Sequence, residues 1–182
     1  MLRITIPPRE GWDDSKEEFI TFEGQVLTLE HSLVSVSKWE SIWKKPFISK
    51  QEKSTGEIVS YIKCMTITQN VKDYAYTFLT KANFDAINNY IKDSHTATFF
   101  SEYKGPAKRS SEQITSELIY YWMVEYGIPF DPCEKWHLNR LLTLIRICGI
   151  KNNGGQKMPN KQALKEQAAI NAMRKAKFHT RG

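Results

Sequence analysis

The sequence lacks the motifs that identify the commonest enzyme classes. It contains no Gly-rich phosphate loop, no Gly-x-Ser-x-Gly elbow and no His-Glu-x-x-His pair. Neither Gly105 nor the pair Gly154-Gly155 lies between a predicted strand and a predicted helix, where a phosphate-binding glycine belongs. We therefore expect that the chain is not an enzyme and that it needs no cofactor.

Cysteines and long apolar runs are also scarce. The chain has 3 cysteines, an odd number without paired spacing, and no secretory signal is recognisable at its start. The longest apolar run, near residues 141–150, is interrupted by Thr143, Arg146 and Gly149 and is far shorter than a bilayer span. We expect a protein of a reducing cytoplasm with no transmembrane helix and no membrane partner.

Acidic residues are nearly missing from residues 151–182. This segment holds eight of the 26 Lys and Arg residues, but only one of the 20 Asp and Glu residues, Glu166. Residues 1–150 are nearly neutral, with 18 basic and 19 acidic residues, and the 41% hydrophobic content of the chain suffices for one core. We predict a single domain over residues 1–150 and a basic tail over residues 151–182 that contacts another molecule.

Alternating apolar and polar residues near the N-terminus predict β-strands. The alternation covers Leu2 to Ile6, then Phe19 to Phe22 and Val26 to Leu29. The dipeptide Glu23-Gly24, between the last two segments, is typical of a hairpin turn. We expect a small antiparallel sheet of two or three strands with a hairpin at this dipeptide.

Helical spacing of apolar residues dominates the rest of the domain. Helices are predicted to begin near Leu33, after Thr55 as an N-cap and after Thr80 as an N-cap, and the first should end at Trp43 because Pro46 prevents its continuation. Its apolar face carries Trp39 and Trp43, which we expect in the core. The predicted fold class is mainly α with a small N-terminal antiparallel β-sheet (α+β), followed by a basic C-terminal tail helix.

A pair of longer helices is predicted near the end of the domain. The first should follow Ser111 as its N-cap and bury a stripe of Ile114, Leu118 and Trp122, which could also include Tyr121. Gly127 is expected to end this helix.

The second helix of the pair has the clearest predicted start. Asp131 is expected as its N-cap, with Pro132 at the first helical position and Glu134 at the third. Because the connection between the two helices is short, they should pack together, with Trp122, Leu141 and Leu142 buried between them.

Cys133 and His137 form a possible reactive pair in this second helix. Their spacing of four residues could place sulfur and imidazole on one metal ion, or let His137 act as the base of a Cys133 nucleophile. A second pair of ligands is missing from the sequence around them, and a thiol near a helix start is usually inert packing. We therefore expect structural roles for both residues, with no metal site.

The same helix pair could also be a DNA-binding helix-turn-helix. In that alternative the second helix exposes Lys135, His137, Asn139 and Arg140, and the basic tail adds phosphate contacts. Acidic residues such as Glu125, Asp131 and Glu134 lie among these cations, which is more typical of an ordinary solvated face.

The basic tail has the composition of a weakly amphipathic helix. A flexible Asn-Asn-Gly-Gly linker at 152–155 precedes it, and its apolar content is too small for it to fold alone. The predicted partner-binding residues are a narrow stripe and the cations beside it: Leu164, Ala168, Asn171, Ala172, Lys161, Lys165, Arg174, Lys175 and Lys177. Such a stripe favours a helical partner, although similar tails often serve only solubility.

Three stretches of the chain resemble proteins encoded in bacteriophage tail gene clusters. They are HSLVSVSKWESIWKKPF at 31–47, ITSELIYYWMVEYGIPFDPCEKWHLNRLLTLIRICGIKN at 114–152 and ALKEQAAINAMRKAKFHTRG at 163–182. Together they are similar to the short product of a tail assembly chaperone gene. The resemblance implies no site residue by itself.

The resemblance implies a non-catalytic protein of the infected host cytoplasm. Such a chaperone would bind the long helical tape measure protein, help to recruit tail tube subunits and associate with further copies of itself. The alternatives are a nucleic-acid-binding protein that uses the helix pair and the basic tail, or a minor structural protein of the virion.

Overall fold

A computed structural model of the chain describes residues 1–14, 17–100 and 113–152. The fold within these residues is α+β, as the sequence predicts, with the strands at the N-terminal end. The strands are β1 (Leu2–Ile6), β2 (Arg9–Asp13), β3 (Glu18–Phe22) and β4 (Gln25–Leu29). The helices are α1 (Leu33–Trp43), α2 (Thr55–Met65), a 3-10 helix (Asp73–Phe78), α3 (Lys81–Lys92), α4 (Ser116–Glu125), α5 (Phe130–Cys133) and α6 (Leu138–Asn152).

The chain divides into two compact units, Met1–Ile145 and Arg146–Gly182. The described part of the second unit is the C-terminal end of α6, up to Asn152. The predicted tail helix and Ser111 lie outside the described residues.

The four strands form two successive antiparallel pairs in one long, interrupted hairpin. β1 pairs with β4, so that Leu2 lies opposite Leu29, and β2 pairs with β3, so that Arg9 lies opposite Phe22. The expected turn at Glu23-Gly24 is therefore wrong, because the strands on its two sides belong to different pairs. The chain reverses instead between β2 and β3.

The interruption of the hairpin follows from proline and glycine chemistry. Pro7 and Pro8 separate β1 from β2, and neither has an N–H group to donate to a ladder. On the returning strand Gly24 has φ +87, and a Cβ there would lie 2.9 Å from the Pro8 nitrogen. The Glu23-Gly24 dipeptide thus bends the chain past the two prolines and does not reverse it.

Helix α1 has the boundaries that the sequence predicts, and it anchors the core. Ser32 caps it in a reciprocal capping box with Ser35. Trp39 is 1% exposed and its indole Nε1 donates to the Glu57 carbonyl oxygen at 2.9 Å. Trp43 is half-buried and donates to the Ser60 hydroxyl at 3.0 Å. Both indoles therefore pack against α2, and the expectation that Trp39 belongs to the core is confirmed.

Capping boxes also define the starts of α2 and α3. The N-cap of α2 is Ser54, which pairs with Glu57, so the predicted cap at Thr55 is wrong by one residue. The N-cap of α3 is Thr80, as predicted, and its partner is Asn83. In both helices the third residue after the cap can accept from the cap's own N–H group, which locates the start.

Glu40 connects α1 to two neighbouring segments. Its carboxylate is buried and accepts from the Phe47 N–H and the Ser116 N–H, each at 2.7 Å. One side chain therefore fixes both the loop after α1 and the start of α4, because buried N–H groups need an acceptor.

The orientation of α4 differs from the prediction. Its buried residues are Ser116, Ile119 and Met123, whereas the expected stripe residues Leu118 and Trp122 are half-buried. The N-cap of the helix is Thr115, so the predicted cap at Ser111 is wrong. The contact of the Ser116 N–H with Glu40 turns the Ser116 side of the helix inward. A tertiary hydrogen bond has thus selected a face that hydrophobic spacing alone did not indicate.

The predicted helix from Asp131 is wrong. Asp131 has non-helical angles within the four-residue α5, and α6 begins only at Leu138. The residues between cannot form one continuous helix with α6, because His137 forms a β-bridge with Ser32 and the Leu138 N–H donates to the His31 carbonyl oxygen at 2.7 Å. Tertiary backbone pairing here replaces the local helical bonds.

Leu141 lies in the core as predicted. It is 0% exposed, while Trp122 and Leu142 are only half-buried. The prediction of burial is therefore confirmed for Leu141 and wrong for the other two residues.

Candidate functional site

An apolar groove lies between α2 and α3 and is open to solvent. Its volume is about 510 Å³. Its apolar lining comes from α2, from α3 and from the loop after α1: Ile58, Ile62, Phe84, Ile87, Ile91 and Phe47. A surface concavity of this composition can accept apolar side chains of a partner.

The groove follows from the apolar spacing of its two helices. Ile58 and Ile62 are four residues apart on α2, and Phe84, Ile87 and Ile91 recur at helical spacing on α3. Ile62 and Ile87 are 1% and 2% exposed and form the buried back of the groove, whereas Ile58 is 39% exposed. The two stripes leave an accessible apolar surface between them.

A lysine lies at the rim of the groove. The Lys53 ammonium donates to the Phe47 carbonyl oxygen at 2.9 Å and lies 4.6 Å from the centroid of the Phe47 ring. Burial lowers the pKa of Lys53, while the nearby Glu57 carboxylate opposes that shift. Lys53 thereby holds Phe47 in place with a hydrogen bond and a cation–π contact.

Tyr61 connects the groove to the interior. Its ring lies 4.1 Å from the Phe47 ring, measured between centroids, and its hydroxyl contacts the His31 Nδ1 atom. The Ser35 hydroxyl lies 3.4 Å from the same Tyr61 oxygen. Burial is the main reason that the pKa of Tyr61 is raised, so the hydroxyl keeps its proton.

Three histidines gather behind Tyr61. The His31 and His137 rings are 5.1 Å apart, and the His137 and His95 rings stack at 4.0 Å, measured between centroids. The Tyr90 ring lies 5.0 Å from that of His137, and the Tyr90 hydroxyl donates to the Glu30 carboxylate at 2.8 Å.

Hydrogen bonds assign a neutral form to His137. Its Nε2 lies 3.0 Å from the Tyr90 carbonyl oxygen, which can only accept, so Nε2 carries the proton. The Asn139 N–H donates to Nδ1 of the same ring at 3.3 Å, so Nδ1 has none. The ring therefore occupies one tautomer between two backbone groups.

Burial keeps the inner histidines neutral. The pKa of His31 is lowered to about 3, first by desolvation and then by the charges that His137 and His95 would carry. The pKa of His137 is also lowered, mainly by desolvation. At neutral pH these rings are therefore uncharged members of the core.

The histidine cluster was missed by sequence reasoning. His31, His95 and His137 are far apart in the chain, and no local spacing indicates that they meet. The only available signal was that three of the chain's 4 histidines precede residue 150.

The two residues considered as a metal or nucleophile pair do not share a helix. Cys133 ends α5 and His137 precedes α6, so the expected helical spacing is wrong. Within residues 1–14, 17–100 and 113–152, His, Cys, Asp and Glu side chains form no group of three or more that could hold a metal ion.

The residues considered for DNA reading do not share one outer surface either. His137 is 5% exposed, and the Asn139 amide donates to the Ile91 and Asp93 carbonyl oxygens at 3.0 and 2.6 Å. Lys135 and Arg140 are exposed, with Lys135 paired to a neighbouring carboxylate and Arg140 lying 4.3 Å from an indole ring. The expected exposure is wrong for His137 and holds for the two cations.

The predicted partner-binding residues of the tail lie outside the described residues. They are Leu164, Ala168, Asn171, Ala172, Lys161, Lys165, Arg174, Lys175 and Lys177. Their role stays a prediction.

None of the helices in the described ranges is both long and apolar enough to cross a membrane. Comparison of the chain with family models, with curated proteins and with solved structures gives no significant match.

Proposed function

We propose that this chain is a non-catalytic tail assembly chaperone of a bacteriophage, which binds the helical tape measure protein and helps to recruit tail tube subunits. Two independent features support the proposal. The first is the resemblance of residues 31–47, 114–152 and 163–182 to such chaperones. The second, which carries it, is the open apolar groove between α2 and α3.

The shape of the groove favours a helical polypeptide as its occupant. The lining is apolar along both helices, and its polar members, such as Lys53 and Asn88, come from the loop and from the exposed side of α3. An amphipathic helix presents apolar side chains at spacings of three and four residues, which fit such a groove between helices. A tape measure protein offers this pattern repeatedly.

The expected strength of the contact suits a chaperone that must leave. Burying one Leu or Val side chain contributes about 1.5–3 kcal/mol. Two such side chains per groove give roughly 3–6 kcal/mol before the costs of association are subtracted. A single groove therefore binds weakly and reversibly, and several copies along one helix are needed for a stable complex.

The proposal is tested by charging the groove. The tape measure gene product is co-expressed with the chain, and the complex is isolated through a tag on the tape measure protein. Ile58→Glu places a carboxylate in the groove at an accessible position, so we expect loss of the complex. The matched control is Ile42→Glu, because Ile42 is a 61% exposed residue of α1 that does not line the groove.

Two results would reject the chaperone proposal. One is equal recovery of the complex with Ile58→Glu and with the control. The other is tight binding of duplex DNA whose affinity falls steeply with salt, which favours the nucleic-acid alternative supported by Lys135, Arg140 and the basic tail. The virion alternative instead predicts that the chain is retained in purified particles.

A further inference from the structure

The outer face of the β2–β3 hairpin carries an exposed aromatic pair. Trp12 and Phe19 lie opposite each other in the ladder, with ring centroids 5.0 Å apart and an edge-to-face arrangement. They are 52% and 78% exposed. Two large aromatic side chains are thus presented together at the surface.

The opposite face of the same hairpin packs against the body. A Cβ at Gly11 would lie 2.9 Å from the Phe78 ring, and Phe22 stacks on that ring at 5.2 Å between centroids. Because side chains alternate along a strand, this inner packing holds Trp12 and Phe19 outward. The aromatic pair is therefore placed on a ladder that the body supports.

The hairpin segment is also acidic. Residues 9–24 hold six acidic and two basic residues. Glu10 and Trp12 are two residues apart in β2 and therefore lie on the same outer face. Glu10 is exposed, and so is Asp14, the residue that directly follows β2. An exposed aromatic pair bordered by carboxylates suits a basic segment that also has short apolar side chains.

This chain contains such a segment at its other end. Residues 151–182 hold eight basic residues and one acidic residue, together with five alanines and two methionines. Lys and Arg can both pair with the carboxylates and lie over the aromatic rings, while Ala and Met side chains contact the ring edges.

We propose that the outer face of the β2–β3 hairpin binds the basic C-terminal segment, residues 151–182, of a second copy of this chain. This interaction rests on the proposed chaperone role for its purpose, since it would line up copies along a long helical polypeptide. The contact joins two different surfaces, so a bound pair still has one free hairpin face and one free basic segment, and the association can continue from copy to copy.

The first test measures self-association of the full chain by sedimentation velocity over a range of protein concentrations, without any helical partner. The double variant Trp12→Ser, Phe19→Ser should weaken self-association about tenfold or more, because a few aromatic side chains usually contribute most of the binding energy of an interface. The matched control is the double variant Phe99→Ser, Tyr121→Ser, which removes two other exposed aromatic residues, 89% and 60% exposed.

The second test exchanges charges between the two surfaces. Glu10→Lys with Asp14→Lys should weaken self-association, and so should Lys175→Glu with Lys177→Glu. Combining all four substitutions in one chain should restore most of it, because the new charges are again complementary. Circular dichroism confirms that each variant is folded.

Several results would overturn the inference. The first is a wild-type chain that stays monomeric at all concentrations, which would also be the result if the basic segment bound the hairpin of its own copy. The second is an equal effect of the aromatic double variant and its control. The third is a failure of the four combined substitutions to restore self-association. Ile58→Glu separates this inference from the proposed function, because it should abolish capture by the tape measure protein and leave self-association unchanged. Capture without self-association would reject only the hairpin contact.

Discussion

Each half of the N-terminal hairpin contains strands in which apolar and polar residues alternate, β1 and β4 in one half and β3 in the other, but the surroundings of the two halves differ. In the β1–β4 half the inward residues Ile6, Leu27 and Leu29 are each 0% exposed, and α3 packs against β1. In the β2–β3 half, Trp12 and Phe19 project to solvent. Alternation therefore predicts a strand, whereas the neighbouring helix decides whether its apolar face belongs to the core.

Two prolines and a glycine set the boundary between the halves. Pro7 and Pro8 end one ladder, and Gly24 lets the returning chain pass close to Pro8. Because the ladder is broken there, the outer half can differ in stability from the inner half. The inner half contributes Ile6, Leu27 and Leu29 to the core, whereas the outer half exposes Trp12 and Phe19.

Substitution of a buried leucine in the inner half gives the largest expected effect. Leu27→Ala should lower the free energy of unfolding by about 2–5 kcal/mol, because it leaves a cavity in a packed core. Val26→Ala is the matched control on the same strand, since Val26 is 43% exposed, and it should change stability by less than about 0.5 kcal/mol. Urea unfolding followed by circular dichroism measures both values, and equal losses would show that the inner half is not part of the core.

Mild acid, between pH 7 and pH 5.5, should act on the helical body, because histidine is the side chain that ordinarily titrates in this range and residues 1–30 contain none. The pKa of His31 is about 3 in the folded chain, against 6.5 as its ordinary value. Below pH 6.5 His31 becomes protonated in the unfolded chain, whereas in the folded chain it stays neutral down to about pH 3. Stability from this group is complete above pH 6.5 and is lost as the pH falls through that window.

Between pH 7 and pH 5.5 we expect His31 to lower the free energy of unfolding by about 1.4 kcal/mol. This figure follows because pH 5.5 lies one unit below the ordinary pKa of histidine. The lowered pKa of His137 acts in the same direction. Urea midpoints at the two pH values measure the loss, and His31→Gln, which keeps a hydrogen-bonding partner for the Tyr61 hydroxyl, is the control. The variant should show a shallower pH dependence, and an unchanged slope would mean that His31 is not responsible.

Local chemistry explains which parts of the fold could be predicted from the sequence. Ser32 caps the start of α1, and Pro46 prevents the helix from continuing beyond the turn after Trp43. Thr80 caps α3 by the same local rule. The strand Leu2–Ile6 also follows from its own alternation. Each of these features depends on residues a few positions apart.

Long-range pairing explains the failures. The bridge between Ser32 and His137 prevents the helix that Asp131 and Pro132 suggest, and the Glu40 contact with Ser116 selects the face of α4. The groove could be anticipated only as two separate apolar stripes, since the sequence does not indicate that α2 and α3 would lie beside each other. The histidine cluster has no local signature at all.

The smallest expected effect on stability belongs to the outer half of the hairpin. A cross-strand aromatic pair contributes about 0.2–1 kcal/mol, so the double variant Trp12→Ser, Phe19→Ser should lower the free energy of unfolding by no more than about 1 kcal/mol. The comparison is with Leu27→Ala, which removes fewer atoms and should cost more. Urea unfolding followed by circular dichroism, with each transition normalised to its own folded and unfolded baselines, measures both variants. A loss as large as that of Leu27→Ala would mean that Trp12 and Phe19 support the core, and they could then no longer be regarded as a surface kept for a partner.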